Sequence, residues 1–138
     1  MRKTETYRQH HQELRAIASR IEAVLDPDSI AATPDAVAQV VRELFGKFSV
    51  HLAIEDNSLY PRAKSTGDAH LRSVASRFEN EMGDLGKRFD AYRHTWPGPL
   101  AIGRDPVRFA AETRTVLEAL RERVAREESQ LYDLIDAA

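Results

Sequence analysis

Residues 51–61 read His51-Leu52-Ala53-Ile54-Glu55-Asp56-Asn57-Ser58-Leu59-Tyr60-Pro61. His51, Glu55 and Leu59 recur every fourth position, so on a helix they share one face, about one turn apart. Val37, Val41, Leu44 and Phe48 lead into them on the same spacing. An imidazole and a carboxylate therefore continue an apolar stripe that should face a protein core. Polar groups in such a place are costly unless they bind a cation or each other. The stretch reads as a helix whose buried face carries chemistry.

Outward from this segment the same period persists. The first helix shows Tyr7, His11, Leu14, Ala18, Ile21 and Leu25, and the third shows Leu71, Ala75, Phe78, Met82, Leu85, Phe89 and Tyr92. The fourth shows Ala110, Thr113, Leu117, Leu120, Val124, Glu127, Leu131 and Leu134. Three turn-rich segments separate the helices: Asp26 to Pro34, Lys64 to Asp68, and Trp96 to Pro106. Thr33–Pro34 and Asp105–Pro106 read as N-caps followed by proline at the first helical position, Asp68 can cap the third helix, and Pro61 should weaken the second near its end. Strand signals are essentially absent. The expectation is an all-α, antiparallel up-down four-helix bundle forming one domain over residues 1–138.

The second half echoes the first. Adding 72 to residues 55–60 lands on Glu127-Glu128-Ser129-Gln130-Leu131-Tyr132, and the same shift pairs His51 with Arg123. Adding 71 sets His11 over Met82 and Leu14 over Leu85. Two related helical hairpins account for this better than coincidence. At 1.5 Å rise per residue His11 and His51 fall roughly 21 and 24 Å from the turns that flank them, so they share a level on adjacent helices. Met82, Arg123 and Glu127 reach that level from the other hairpin. One polar layer then crosses the core, as in bundles that build histidine and carboxylate metal sites.

Composition narrows the chemistry. The chain has 138 residues, net charge −2, 20 basic and 22 acidic residues and no cysteine. Without cysteine there is no disulfide, iron–sulfur cluster or thiolate site, so any transition metal must be held by nitrogen and oxygen. Charges are dispersed, which argues against a nucleic-acid surface. No apolar run approaches a membrane span or a signal peptide, so a soluble cytoplasmic protein is expected.

His10-His11 followed by Leu14, then His51 through Pro61, resembles the hemerythrin-like (HHE cation-binding) family over nearly the whole chain. The resemblance implies a non-haem, usually di-iron, site inside an antiparallel bundle that carries or senses oxygen or handles nitric oxide, peroxide or iron. It implies metal ligation by His11, His51, Glu55 and Glu127. The second half departs from the family pattern: Met82 and Arg123 stand where the family places inward histidines. A thioether is a poor iron ligand and a guanidinium cannot ligate. The second subsite should be lost, and reversible oxygen carriage with it.

Arg123 has two readings, an inward pair with Glu55 or Glu127, or a side chain snorkelling to solvent; the inward pair is expected. Met82 reads as core, Glu81 as a solvent-facing acid that could still reach inward, and His10 as pointing about 100° from His11, a reserve ligand at best. His70 and His94 read as surface residues, and Trp96 as the anchor of the connection before the fourth helix. The expected function is metal binding rather than catalysis: an eroded, mononuclear non-haem site for iron, with zinc or manganese as alternatives, sensing or handling iron, oxygen or nitric oxide. Its partners would be the metal ion and a small diatomic ligand. The rival is a metal-free regulatory or interaction bundle in which Arg123 supplies the positive charge.

Overall fold

The computed structural model describes residues 2–138, and no strand occurs among them. Helix α1 spans Glu5–Glu22, α2 Pro27–Ala32, α3 Pro34–Ile54, α4 Tyr60–Ser65, α5 Ala69–Thr95, α6 Pro99–Arg104, α7 Pro106–Arg126 and α8 Asp133–Ala137. A π-helical segment, Glu55–Leu59, joins α3 to α4, and a second, Glu127–Tyr132, joins α7 to α8. The four long elements of the bundle are thus α1, α3–α4, α5 and α7–α8. No helix among the described residues is long and apolar enough to cross a membrane.

Local chemistry sets most boundaries. Asp68 caps α5, its carboxylate accepting from His70 and Leu71 N–H, and Asp105 caps α7 by accepting from Arg108 N–H. Thr33 does not cap α3 as its position suggests; its hydroxyl donates instead to the Ser29 carbonyl and closes α2. The segments read as turns, 26–34 and 96–106, hold the short helices α2 and α6, each opened by a proline at its first residue. They too obey the 72-residue repeat, since 27 + 72 is 99 and 32 + 72 is 104.

Periodicity alone does not foresee the π segments. Each begins at an inward glutamate, Glu55 or Glu127, and the Tyr60 N–H reaches back five residues to the Glu55 carbonyl. The extra residue lets both Leu59 and Tyr60 point inward, and likewise Leu131 and Tyr132. Such insertions are frequent at functional sites. Pro61 is not their cause, because the equivalent position in the second repeat is Asp133 and the π segment forms there as well. The helix axis also continues past Pro61 to Ser65 rather than failing there.

The apolar core falls into two clusters. The larger runs from Leu14 and Leu25 through Phe45 and Phe89 to Trp96 and Leu120. The smaller gathers Tyr7, Leu59, Tyr60, Phe78, Leu131 and Tyr132. Where they meet, His11, His51, Glu55, Arg123 and Glu127 are all buried. The chain ends are tied near the smaller cluster: Thr4 N–H and Oγ1 both donate to the Asp136 carboxylate at 3.0 and 2.7 Å, and Arg8 donates to Asp133 and Asp136.

Candidate metal centre

α1 delivers His11, the last turn of α3 delivers His51, and the two π segments open with Glu55 and Glu127. The fold brings all four expected residues together: one donor atom from each lies within 4.8 Å of the other three, and all are buried. His11 Nε2 stands 3.1 Å from His51 Nε2 and 3.5 Å from Glu127 Oε1, and His51 Nε2 stands 3.3 Å from Glu55 Oε1.

The outer ring nitrogens are also engaged. His11 Nδ1 lies 3.2 Å from Glu128 Oε2, and Arg15 donates to the other oxygen of that carboxylate at 2.8 Å. His51 Nδ1 lies 3.3 Å from His10 Nδ1. Burial holds His11 below its usual range despite the Glu128 carboxylate, and because a carboxylate can only accept, the contact favours the tautomer with its proton on Nδ1. Nε2 then presents a lone pair to the centre. A carboxylate behind a histidine in this way fixes the ring and raises its basicity toward a metal. His10 and Glu128 were not foreseen as supports. Their adjacency to His11 and to Glu127 was the available signal, but neighbours on a helix usually face elsewhere.

The acids repeat the theme of unmet need. Burial works to raise the Glu55 carboxyl, but the nearby His51 ring, the Glu127 carboxyl and the Tyr132 hydroxyl outweigh it and draw the group down to about 2. Burial and the Glu55 charge together push Glu127 well up. The two carboxyls thus behave as a coupled pair, Glu55 drawn down and Glu127 pushed up. Glu55 Oε1 and Glu127 Oε2 are nevertheless buried without a hydrogen bond. Two orphaned carboxylate oxygens beside inward-facing imidazole nitrogens are the donor set a divalent cation takes.

Arg123 is inward, only 4% exposed, as the favoured reading expected. The bidentate carboxylate pair does not form. Its Nη2 donates to Tyr60 Oη at 3.0 Å and to the Phe78 carbonyl at 2.8 Å, and the guanidinium lies over the Phe78 ring. Nε approaches Glu127 Oε1 only to 3.7 Å, and both Nε and Nη1 lack hydrogen-bond partners. Met82 packs in the larger apolar cluster. Glu81, with its side chain 39% exposed, accepts from Arg126 at 2.8 Å and does not replace a lost ligand. His70 and His94 are on the surface, and Trp96 is buried with its indole N–H donating to Glu112.

Tyr132 is the residue that sequence reasoning missed. Its hydroxyl donates to Glu55 Oε2 at 2.6 Å and lies 3.2 Å from His11 Nε2 and 3.4 Å from His51 Nε2. Burial and the nearby carboxylates push its phenol well above the usual range, so it is a neutral donor here. The Leu–Tyr repeat contained it, but an α-helical count turns position i+5 away from the core. A surface groove of about 550 Å³ beside Phe45 and Trp96 lies away from this layer. A smaller one of about 230 Å³ between α5 and α7 is lined by Glu81, Arg88 and Arg126 and reaches Arg123.

The family model described as the hemerythrin HHE cation binding domain matches residues 2–135. No curated protein and no solved structure matches the chain.

Proposed function

The chain belongs to the hemerythrin HHE cation-binding family, and on that premise we propose that it holds one metal ion between His11, His51, Glu55 and Glu127. The observation that carries this reading is the buried cluster itself, with four donors within 4.8 Å and two carboxylate oxygens left without partners. Iron is the first candidate by family, with zinc and manganese fitting the same nitrogen and oxygen donors. When bound, the metal supplies a Lewis-acidic and, for iron, redox-active centre. The chain's residues bind it, orient the imidazoles through Glu128 and His10, and keep bulk water out by burial.

One ion rather than two follows from Arg123 and Met82, which offer no donors on the far side of Glu127. A mononuclear site suits sensing or handling of iron, oxygen or nitric oxide by a single cytoplasmic domain better than it suits oxygen transport or turnover. A small diatomic ligand is the partner such a site would take.

A second reading has its own support. Arg123 Nε is 3.7 Å from Glu127, so a fixed guanidinium could stand in for a metal charge in a metal-free interaction bundle. Elemental analysis of the chain expressed in iron-, zinc- and manganese-supplemented medium and held near neutral pH separates the two. About one equivalent of one metal supports the first reading; less than about a tenth of every metal supports the second.

A further inference from the structure

Two imidazole nitrogens converge on one oxygen. Tyr132 Oη is 3.2 Å from His11 Nε2 and 3.4 Å from His51 Nε2, and those two nitrogens are 3.1 Å apart. The three atoms form a nearly equilateral triangle buried in the core. Donor atoms that share one cation at about 2.0–2.2 Å stand about 2.8–3.6 Å from each other in octahedral or tetrahedral arrangements. The triangle has the size of one face of such a shell.

Hydrogen bonding does not account for it. The phenol has a single proton, and that proton is directed to Glu55 Oε2 at 2.6 Å. The Glu128 carboxylate, which can only accept, draws a proton to Nδ1 on the other side of the His11 ring. If His51 carries its proton on Nε2, the Tyr132–His11 edge is still a contact between lone pairs, and otherwise all three edges are. Lone pairs gathered in a buried site need a positive charge among them. The placement is built by the backbone: the π segment beginning at Glu127 turns Tyr132 inward beside Leu131. Its repeat partner Tyr60 is turned inward the same way, yet its hydroxyl serves Arg123 instead.

We propose that Tyr132 is a further ligand of the cation held by His11, His51, Glu55 and Glu127, bound through its phenolic oxygen. This rests on the metal-binding reading above. On binding, the phenolic O–H bond breaks, an oxygen–metal bond forms, and the proton leaves to solvent.

The test loads the metal-free full chain with ferrous iron under anaerobic conditions and then oxidises it to the ferric state with air. The wild-type chain should hold about one iron and show a visible phenolate-to-ferric charge-transfer band, with phenolate ring modes enhanced in resonance Raman spectra. Tyr132→Phe should lose that band at least about tenfold per bound iron, whereas Tyr7→Phe, Tyr60→Phe and Tyr92→Phe keep it. If Tyr132→Phe holds no iron, retention of the band in the other three variants assigns it to Tyr132, because the chain has four tyrosines. If only zinc loads, the same variants are compared through the ultraviolet difference spectrum of ionised tyrosine on zinc addition, with its presence supporting the ligand and its absence overturning it. An iron-loaded wild-type chain without the band, or a loaded Tyr132→Phe that retains it, overturns the role of Tyr132 while leaving the metal site standing. A wild-type chain that takes neither metal overturns both.

Discussion

The two hairpins of this bundle share a backbone and differ in chemistry. Each has a short proline-led helix, at Pro27 and at Pro99, and each long helix that follows turns from α to π at a buried glutamate. The first hairpin places two imidazoles inward beside Glu55, whereas the second places a thioether and a guanidinium beside Glu127. The tyrosines cross over: Tyr60 of the first hairpin accepts from Arg123 of the second, and Tyr132 of the second donates to Glu55 of the first. One scaffold thus presents a candidate cation site and a permanent cation side by side. The lesson is that the π turn and its inward glutamate are the inherited device, while the residues one turn earlier decide what it holds.

The strongest way to break this comparison is to erase the difference. Met82→His with Arg123→His should raise metal content from about one to about two equivalents per chain, because both side chains are buried and ligands on facing helices are what such sites require. A folded double variant that still binds one would mean that the second hairpin differs in backbone spacing and not only in side chains.

Removing the permanent cation alone comes next. Arg123→Ala takes away two hydrogen bonds, the contact over Phe78 and the charge nearest Glu127. Denaturant unfolding of the metal-free chain should show a loss of about 3–5 kcal/mol, the scale for breaking a buried charged contact. A loss under about 1 kcal/mol, the scale of a surface pair, would deny Arg123 its structural role.

How much of this was legible in the sequence can be judged residue by residue. The four long helices, the capping acids Asp68 and Asp105 and the 72-residue repeat follow from apolar spacing and local turn chemistry. So does the meeting of His11, His51, Glu55 and Glu127, since residues at equal height on apolar stripes must converge. Arg123 was legible as inward but not in its partners, because a long side chain selects among several acceptors only once packing is set. Tyr132 was hidden by the π insertion, which depends on backbone hydrogen bonding that side-chain periodicity does not report. His10 and Glu128 were hidden because a support for a ligand carries no spacing signature of its own.

A smaller effect sharpens the same contrast. Glu128→Gln leaves every inward donor in place but weakens the carboxylate behind His11. Metal affinity from competition with a chelator should fall about 10–100-fold, the range for partners that orient a ligating histidine. The substitution at Glu81, whose partners Arg126 and Arg123 lie on the other hairpin's side of the layer, should leave affinity unchanged within about twofold, the usual context scatter for a group outside the shell. Equal effects at both positions would indicate a diffuse electrostatic influence rather than a defined support.

On the proposed reading His11, His51, Glu55 and Glu127 hold one cation, and the guanidinium of Arg123 bars a second. Anaerobic titration of the metal-free chain with ferrous iron, followed together by bound metal and by the thermal midpoint, reads both parts at once. Saturation at one equivalent is predicted, with added stability approaching about 2.7 kcal/mol when free metal stands a hundredfold above the dissociation constant. Saturation at two equivalents, or no binding and no thermal shift, would contradict it.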